Sequence, residues 1–442
     1  MGQLDEILKT VSGYVWGPWM LALLFGTHIF LTIRLRVIQR YLGKAVRLSL
    51  ARGREGEGDI SHFGALATAL AATVGTGNIV GVATAVAAGG PGAVLWMWLT
   101  GVFGIATKYA EAVLSVKYRV VNERGEMAGG PMYVLAHGLK WKGLGRPLGW
   151  LFALFTAIAA FGIGNMTQAN SIADMLHKTH DVSVWISGPV LTVLTALVIL
   201  GGIRSIARVC TLLVPFMAVV YVIGGAIMLC MRASALPETV ALIVRTAFTG
   251  EAAVGGFVGA GLREAMRYGI ARGLFSNESG LGSAPIVAAA AQTRNPVRQA
   301  LVSSTGTFWD TVVICLMTGL VVVSSGEWRT GLGGAALTKA AFADFPVIGP
   351  TILSIGLLTF VFSTILGWSY YGEKAVEYLL GRAAVRPYRL LWVGAVLLGS
   401  VKEPVVIWYF SDITNALMAV PNLVSLLLLS LIHISEPTRL LS

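Results

Sequence analysis

The sequence predicts an all-α integral membrane protein with about eleven transmembrane helices, ten of them forming two five-helix halves of opposite orientation. Three observations predict this fold class. The 442-residue chain is 55% hydrophobic and only 12% charged, with a mean hydropathy of +0.74, whereas soluble domains carry about 25% charged residues. Apolar stretches long enough to cross a bilayer recur along the whole chain. Two of these stretches are broken at mid-span by glycines and polar residues.

Eleven apolar stretches approach or exceed the roughly 20 residues that a transmembrane helix needs. Their approximate limits are 15–38, 65–88, 92–120, 148–173, 183–202, 208–231, 265–291, 298–325, 348–372, 387–402 and 406–430. The first is an extra N-terminal span, and the other ten divide into five and five, each half opening with a broken stretch. Because each half has an odd number of spans, the halves insert in opposite senses, which predicts an inverted repeat.

The spans divide the chain into five segments. They are an N-terminal peripheral span with a basic loop (1–62), a first five-helix repeat (63–232), an external amphipathic connection (233–264), a second five-helix repeat (265–428) and a foreign tail (429–442). The tail contains SLIHISEPTR, which resembles the translation of a sequencing-library adapter, so we exclude it from fold reasoning. The alternative is a genuine polar tail.

The charge distribution predicts the orientation of the chain. Lysine and arginine total 33 against 22 acidic residues, a net charge of +11, and the densest basic segment runs from Arg34 to Arg54. The positive-inside rule makes this loop cytoplasmic and the N-terminus external. We therefore expect a multi-pass protein of the inner (plasma) membrane, with the lipid bilayer and not nucleic acid as its partner. The three cysteines have no disulfide or metal-ligand spacing, and we expect no removable signal peptide.

The first broken stretch, Ala72–Ala88, reads ATVGTGNIVGVATAVAA. Its centre, Gly75–Asn78, places two glycines and an amide where a lipid-exposed helix needs unbroken hydrogen bonding. A helix broken there would present free N–H groups at one half-helix end and free carbonyls at the other. These ends suit a carboxylate and a cation, respectively. The alternative is a GxG motif that serves close helix packing.

The second broken stretch, Phe275–Pro285, reads FSNESGLGSAP and gathers polar side chains around two glycines. Two such stretches at corresponding places in two halves are typical of the binding sites of secondary transporters. Two of the acids inside apolar spans, Glu278 and Asp310, are candidates for a functional role, because ionisable groups there are rare and usually functional. Glu278 is either a ligand or proton carrier on an ion path, or a structural acceptor for unwound N–H groups. Asp310 either pairs with a neighbour or lies on the transport path.

Five ordered blocks carry a resemblance to a known family. They read GTGNIVGVATAVAAGGPGAVLWMW, KYAE (Lys108–Glu111), GGPMYVL (Gly129–Leu135), RGLFSNESGLGSAP (Arg272–Pro285) and GWSYYGEKA (Gly367–Ala375). In these blocks the chain resembles the alanine or glycine:cation symporter family. The resemblance implies a LeuT-type five-plus-five inverted repeat and sodium-coupled symport of small neutral amino acids, alanine and glycine, by alternating access. It implies Na⁺ as the coupling ion and no other cofactor. A proton-coupled amino-acid symporter of the same fold is the alternative.

The resemblance implies substrate-binding residues around the two breaks, namely Thr76, Gly77, Asn78, Gln168, Phe275, Ser276, Asn277 and Trp368. The first break, around Gly77, would receive the carboxylate of the amino acid, and carbonyls near Asn277 would face its ammonium group. Gln168 would complete the site; an interhelical hydrogen bond is the alternative for this side chain. Phe275 and Trp368 would limit the volume of the substrate side chain, since a methylene-scale misfit costs roughly 1–3 kcal/mol.

The resemblance also implies a sodium site beside the first break. Its ligands would be the carbonyls of Ala71 and Val74 and the hydroxyls of Ser363 and Thr364, because hard cations prefer several oxygen ligands. Thr73 is a candidate ligand for a second cation. Hydroxyls in a membrane helix often bond back to carbonyls of their own helix, which is the alternative for Ser363 and Thr364.

Two other function classes compete with transport by a symporter. A channel would show pore-lining rings or a repeated carbonyl filter, and a membrane enzyme would show a nucleophile–base pair or a metal cluster. No HExxH, GxSxG or Walker motif occurs in the sequence. The sequence therefore predicts a secondary transporter and not an enzyme, and it leaves the oligomeric state open.

Overall fold

Helices form almost all of the regular structure in the computed structural model, which describes residues 2–51, 56–249, 261–402 and 405–433. Within these ranges the α-helices are α1 (Gly2–Val15), α2 (Pro18–Arg34), α3 (Leu42–Leu50), α4 (His62–Thr73), α5 (Val82–Gly89), α6 (Ala93–Lys117), α7 (Pro131–Gly138), α8 (Lys142–Phe161), α9 (Thr167–His180), α10 (Val184–Ile199), α11 (Gly202–Met231), α12 (Leu236–Thr249), α13 (Leu262–Asn277), α14 (Pro285–Ala288), α15 (Pro296–Thr307), α16 (Leu316–Ser325), α17 (Gly334–Ala343), α18 (Ile348–Leu380), α19 (Val385–Val401) and α20 (Val405–His433). Three π-helical stretches, Gly77–Gly81, Gly162–Met166 and Phe308–Cys315, lead into α5, α9 and α16. One hairpin pairs β1 (Val120–Val121) antiparallel with β2 (Met127–Ala128).

Six helical segments in the described ranges are long and apolar enough to cross a membrane. They are Glu6–Arg34, Lys142–His180, Gly202–Met231, Pro296–Ser325, Ile348–Leu380 and Val406–Ser430. The pair α4 and α5, bent by 55° at the first break, makes a seventh if it is counted as one span. The chain is therefore a multi-pass helical membrane protein.

The four other predicted spans coincide with helices that are shorter or more charged. α6 has 25 residues but carries Lys108, Glu111 and Lys117. α10 and α19 have 16 and 17 residues, and α13 has 16 residues and ends at the second break. Length and composition alone therefore do not make these four helices clear spans.

Four of the five predicted segments fall partly outside the described residues; segment 1–62 includes residues 1 and 52–55, and segment 265–428 includes residues 403–404, which lie outside the described ranges. The external connection (233–264) contains α12, which carries Glu238 in its first turn, and residues 250–260 lie outside the described ranges. The foreign tail (429–442) overlaps the end of α20 at His433, and residues 434–442 lie outside them as well.

The first break separates α4 from α5. α4 runs from His62 to Thr73, and it is capped by Ser61, whose hydroxyl accepts a hydrogen bond from the Gly64 N–H at 3.0 Å. Val74 then adopts an extended conformation with φ −78° and ψ 97°. The chain returns to helical geometry through a π-turn, a form that is frequent at functional sites.

The second break follows α13. Glu278 adopts a left-handed conformation with φ 54°, and Gly280 and Gly282 follow with φ 87° and 86°, which only glycine adopts without strain. The side chain of Glu111 on α6 stabilises this segment: its Oε1 accepts hydrogen bonds from the N–H groups of Gly280 (3.0 Å) and Gly282 (3.1 Å) and from Asn422 Nδ2 (2.7 Å). The N–H groups of Gly280 and Gly282 thus bond to the carboxylate of Glu111 and not, as one alternative held, to that of Glu278, which accepts from Ser283 Oγ and Trp368 Nε1.

On the side predicted to be cytoplasmic, one arginine ties helix ends together. Arg119, just after α6, donates four hydrogen bonds to main-chain carbonyls. Its Nη1 contacts the carbonyls of Ala289 (2.9 Å) and Ala291 (2.7 Å), and its Nη2 contacts those of Glu57 (2.9 Å) and Thr293 (2.9 Å). We call this arrangement the Arg119 clasp. It joins the end of α6 to the segment before α4 and to the segment between α14 and α15.

The hairpin beside the clasp is fixed to α18 by charge. The buried Lys374 ammonium donates to Glu377 at 2.8 Å and to Glu126 at 3.2 Å. Partial burial opposes ionisation of Glu126, but the Lys374 charge outweighs it and lowers the pKa of Glu126 below its usual value. Charged contacts therefore hold this side of the protein together.

Candidate functional site

The two breaks lie against each other in the centre of the helical assembly. A Cβ placed on Gly77 would lie 3.5 Å from Phe275 Cδ1 and 3.5 Å from the Cα of Ser276. The backbones of the two breaks therefore approach within van der Waals contact. Loose helix ends from two spans share one buried region, as the sequence pattern predicts.

Asn78 organises the first break through both atoms of its amide. Its Oδ1 accepts a hydrogen bond from the Gly75 N–H at 2.8 Å, and its Nδ2 donates to Asp310 Oδ1 at 2.6 Å. The side chain is fully buried. Asn78 therefore shapes the turn and links it to the π-helical stretch before α16.

Gln168 faces the first break from α9. Its Nε2 donates to the Ile163 carbonyl at 2.9 Å and to Thr76 Oγ1 at 3.4 Å, so the interhelical hydrogen bond that was one alternative is present. Its Oε1 is buried and has no hydrogen-bond partner among the described residues. A Cβ on Gly75 would lie 3.7 Å from this oxygen. Buried acceptors are nearly always paired. The unpaired Oε1 of Gln168 is therefore an unusual free acceptor beside the break.

The polar side chains at the second break are engaged locally. Ser276 Oγ donates to Asp310 Oδ2 at 3.0 Å. Asn277 Oδ1 accepts from the Ser279 N–H at 2.9 Å, and its Nδ2 donates to Thr100 Oγ1 at 3.5 Å. α13 ends at Asn277, and the carbonyls of a last helical turn have no partner within their helix.

The two predicted aromatic residues are anchored separately. The half-buried Phe275 ring lies 6.0 Å from the Trp408 ring. Trp368 is fully buried and donates its indole N–H to Glu278 Oε1 at 2.9 Å. Its Cβ packs directly against Gly164 in the π-turn that precedes Gln168. Trp368 thus contacts both the second break and the segment that carries Gln168.

Four oxygens meet where α18 passes the end of α4. Ser363 Oγ lies 3.2 Å from the Ala71 carbonyl, and Thr364 Oγ1 lies 3.3 Å from the Val74 carbonyl. Both hydroxyls also donate back to the Phe360 carbonyl, at 2.8 and 2.9 Å, so the bonding within their own helix that was the alternative for Ser363 and Thr364 is present. All four groups are oxygens, the donor type that hard cations prefer. The structure thus brings together the four residues of the predicted sodium site.

Thr73 is not part of this oxygen cluster. Its hydroxyl donates to the carbonyls of Ala69 (3.2 Å) and Leu70 (3.4 Å). It borders a different small cavity, which the Lys108 side chain also lines. A neighbouring ammonium group opposes cation binding, so these contacts do not favour Thr73 as a cation ligand.

Sequence reasoning missed two links in the site. Asp310 joins Asn78 to Ser276, and Glu111 holds the unwound segment of the second break. Both are acids inside apolar helices, and that rarity was the available signal. Their partners lie far away in the sequence. The rarity of acids in apolar helices therefore indicates that these residues matter, but it does not predict their contacts.

Comparison with known proteins identifies relatives over the whole chain. The family model for the sodium:alanine symporter family matches residues 1–439. The chain is 52% identical over 438 residues to the sodium/alanine symporter AgcS of Methanococcus maripaludis, covering 98% of this chain and 96% of that protein. The predicted family resemblance is confirmed.

Solved structures give the same fold at much lower identity. MhsT in complex with L-phenylalanine aligns with a TM-score of 0.57 at 15% identity, covering 84% of this chain and 89% of that one. A mutant manganese transporter of Eremococcus coleocola aligns with a TM-score of 0.57 at 12% identity, covering 83% and 78%. These LeuT-like neighbours show a helical membrane-transporter fold. The chain therefore belongs to the sodium:alanine symporter family, whose members are transporters and not enzymes and use Na⁺ as the coupling ion.

Proposed function

We propose that this protein is a secondary active transporter that couples sodium entry to uptake of small neutral amino acids, alanine and glycine, by alternating access. The proposed architecture is a LeuT-type five-plus-five inverted repeat with one extra N-terminal span, eleven spans in all, and an external N-terminus. One observation carries the proposal: the ends of two interrupted helices meet beside a cluster of four oxygens.

The first break is the proposed receptor for the substrate carboxylate. The N–H groups at the start of a helix lack intrahelical partners and carry partial positive charge. In this arrangement Thr76 and Gly77 offer such groups at the start of the π-turn. Asn78 contributes by holding the turn in shape, since both atoms of its amide are engaged by Gly75 and Asp310.

The proposed partners of the substrate ammonium group are hydrogen-bond acceptors beside the two breaks. Gln168 Oε1 is a buried acceptor without a protein partner among the described residues, and the last carbonyls of α13, up to Asn277, have no helical partner. Ser276 lies beside Gly77, since a Cβ on Gly77 would lie 3.5 Å from the Cα of Ser276. Phe275 and Trp368 are the proposed walls that limit side-chain size, and a misfit of one methylene against such a wall is worth roughly 1–3 kcal/mol.

The proposed coupling ion lies among the carbonyls of Ala71 and Val74 and the hydroxyls of Ser363 and Thr364. Unwound backbone carbonyls beside a broken helix are typical sodium ligands in transporters of this kind. Sodium bound there would fix the end of α4, and so the start of the carboxylate receptor. Occupancy of one site would thereby raise affinity at the other.

Uptake of radiolabelled L-alanine into proteoliposomes tests the function directly. An inward sodium gradient should drive accumulation, and replacing sodium by potassium should remove it. Uptake driven by a proton gradient in the absence of sodium tests the proton-coupled alternative. Competition by glycine, D-alanine and serine measures the substrate range. Equal uptake with and without any ion gradient would contradict symport.

The ion site predicts a specific effect of Thr364→Ala. Loss of one oxygen ligand should raise the sodium concentration for half-maximal uptake roughly tenfold, equivalent to about 1.4 kcal/mol, with maximal uptake at saturating sodium largely retained. The matched control is Thr359→Ala on the same helix, because the Thr359 hydroxyl bonds back to Ile355 at 2.7 Å. An unchanged sodium requirement in Thr364→Ala would remove Thr364 from the site.

A further inference from the structure

Asp310 lies in the π-helical stretch Phe308–Cys315, within the continuous span Pro296–Ser325. Its side chain is fully buried. A carboxylate at this depth is costly unless hydrogen-bonded, so its partners indicate what it does.

The two oxygens of Asp310 bind the two breaks separately. Oδ1 accepts from Asn78 Nδ2 at 2.6 Å, and Oδ2 accepts from Ser276 Oγ at 3.0 Å and from the adjacent Thr311 Oγ1 at 2.6 Å. A carboxylate has about four acceptor positions, and three of them are filled by these donors. The carboxylate is therefore a bridge between the first and the second interrupted helix.

The bridge continues to the proposed ion site. Asn78 Oδ1 accepts from the Gly75 N–H at 2.8 Å. A Cβ on Gly75 would lie 2.6 Å from Thr364 Oγ1, and that hydroxyl contacts the Val74 carbonyl at 3.3 Å. A contiguous set of contacts thus runs from Val74 and Thr364, through Gly75 and Asn78, to Asp310 and Ser276.

We propose that Asp310 is the positioning residue that couples sodium occupancy to amino-acid affinity, by joining the turn beside the ion site to Ser276 at the second break. The inference rests on the proposed function. Sodium at Val74 would fix the turn at Gly75, and Asn78 would carry that geometry to Asp310. The carboxylate then holds Ser276 and the end of α13 in the arrangement that receives substrate. Coupling of this kind is a difference in affinity between two states.

Two neutral variants separate positioning by hydrogen bonds from a role that needs negative charge. Asp310→Asn keeps the shape of the side chain. Its amide oxygen can accept from Asn78 Nδ2, and its NH₂ group can donate to the Ser276 hydroxyl. Asp310→Ala keeps neither link. A role that needs the negative charge or a titratable proton would be lost in both variants, whereas a positioning residue would lose its role only in Asp310→Ala.

The test measures the L-alanine dissociation constant of the full-length protein in nanodiscs at low and at saturating sodium. In the unmodified protein we expect the ratio of the two constants to fall in the range of roughly 5–150 that is typical of coupled sites. Asp310→Ala should bring the ratio close to one, and Asp310→Asn should keep most of it. Ser276→Ala, a smaller change that cuts the bridge at its far end, should also lower the ratio.

The control is Thr318→Val, which removes a buried hydroxyl from the same span outside the bridge; Thr318 contacts Tyr221. Its ratio should match that of the unmodified protein. An unchanged ratio in both Asp310→Ala and Ser276→Ala, or equal losses in Asp310→Ala and Asp310→Asn, would overturn the proposal. Absence of any sodium dependence in the unmodified protein would instead overturn the proposed function.

Discussion

Replacing Asn78 by alanine should lower sodium-driven alanine uptake by roughly a hundredfold or more. The change leaves the Gly75 N–H and Asp310 Oδ1 without their partners, which lie at 2.8 and 2.6 Å. Each unsatisfied buried group costs about 1–3 kcal/mol, and about 2.8 kcal/mol corresponds to a hundredfold change. The turn that is the proposed carboxylate receptor would lose its shape, so initial uptake rates in proteoliposomes should approach those of protein-free vesicles.

A second asparagine provides the control for Asn78→Ala. Asn170 on α9 is only partly buried and contacts the Lys402 carbonyl at 3.5 Å. Asn170→Ala should transport at an unchanged rate. If Asn78→Ala, inserted in the membrane at the same level, transported as well as Asn170→Ala, the proposed carboxylate receptor would be wrong.

A single methyl group at Gly75 should raise the sodium requirement of transport about tenfold or more. In Gly75→Ala the new Cβ would lie 2.6 Å from Thr364 Oγ1, so the hydroxyl has to turn away from the Val74 carbonyl or the helices have to separate. Overpacking of this kind costs roughly 1–3 kcal/mol. The measurement is the sodium concentration for half-maximal alanine uptake.

Gly81→Ala is the matched control, because its new Cβ would lie 3.9 Å from the Thr76 carbonyl oxygen, an ordinary van der Waals contact. Its sodium requirement should stay normal. The double variant Gly75→Ala/Thr364→Ala should require no more sodium than Thr364→Ala alone, because the group that clashes is absent. Additive losses would show that Gly75 acts through another contact.

The sequence predicted the features that depend on local chemistry. Glycines and an amide at Gly75–Asn78 weaken a helix wherever they stand, and α4 and α5 are bent by 55° there. The segment after Asn277 likewise needs positive φ at two glycines, and it is not helical. Low charge and long apolar stretches are also local properties of the sequence, and they identified a multi-pass membrane protein.

The sequence could not predict features that depend on packing between distant segments. Nothing near Asn78 indicates that its amide bonds to Asp310, 232 residues later. The alternative in which Glu278 accepts the unwound N–H groups considered only its own segment, whereas Glu111 reaches them from α6. Counting spans from the sequence is also difficult, because charged residues inside a helix lower its hydropathy. α6, for example, carries Lys108 and Glu111 among apolar residues.

The Arg119 clasp has a kinetic consequence. A guanidinium presents its N–H groups in a rigid planar fork, and here the fork holds four main-chain carbonyls from two separate segments. If the two segments separated by losing these contacts one at a time, the arginine and several carbonyls would be left without hydrogen-bond partners in a partly buried place. Unsatisfied groups of this kind cost free energy. Opening on this side of the protein is therefore expected to be a single concerted event with its own barrier, and not a gradual widening.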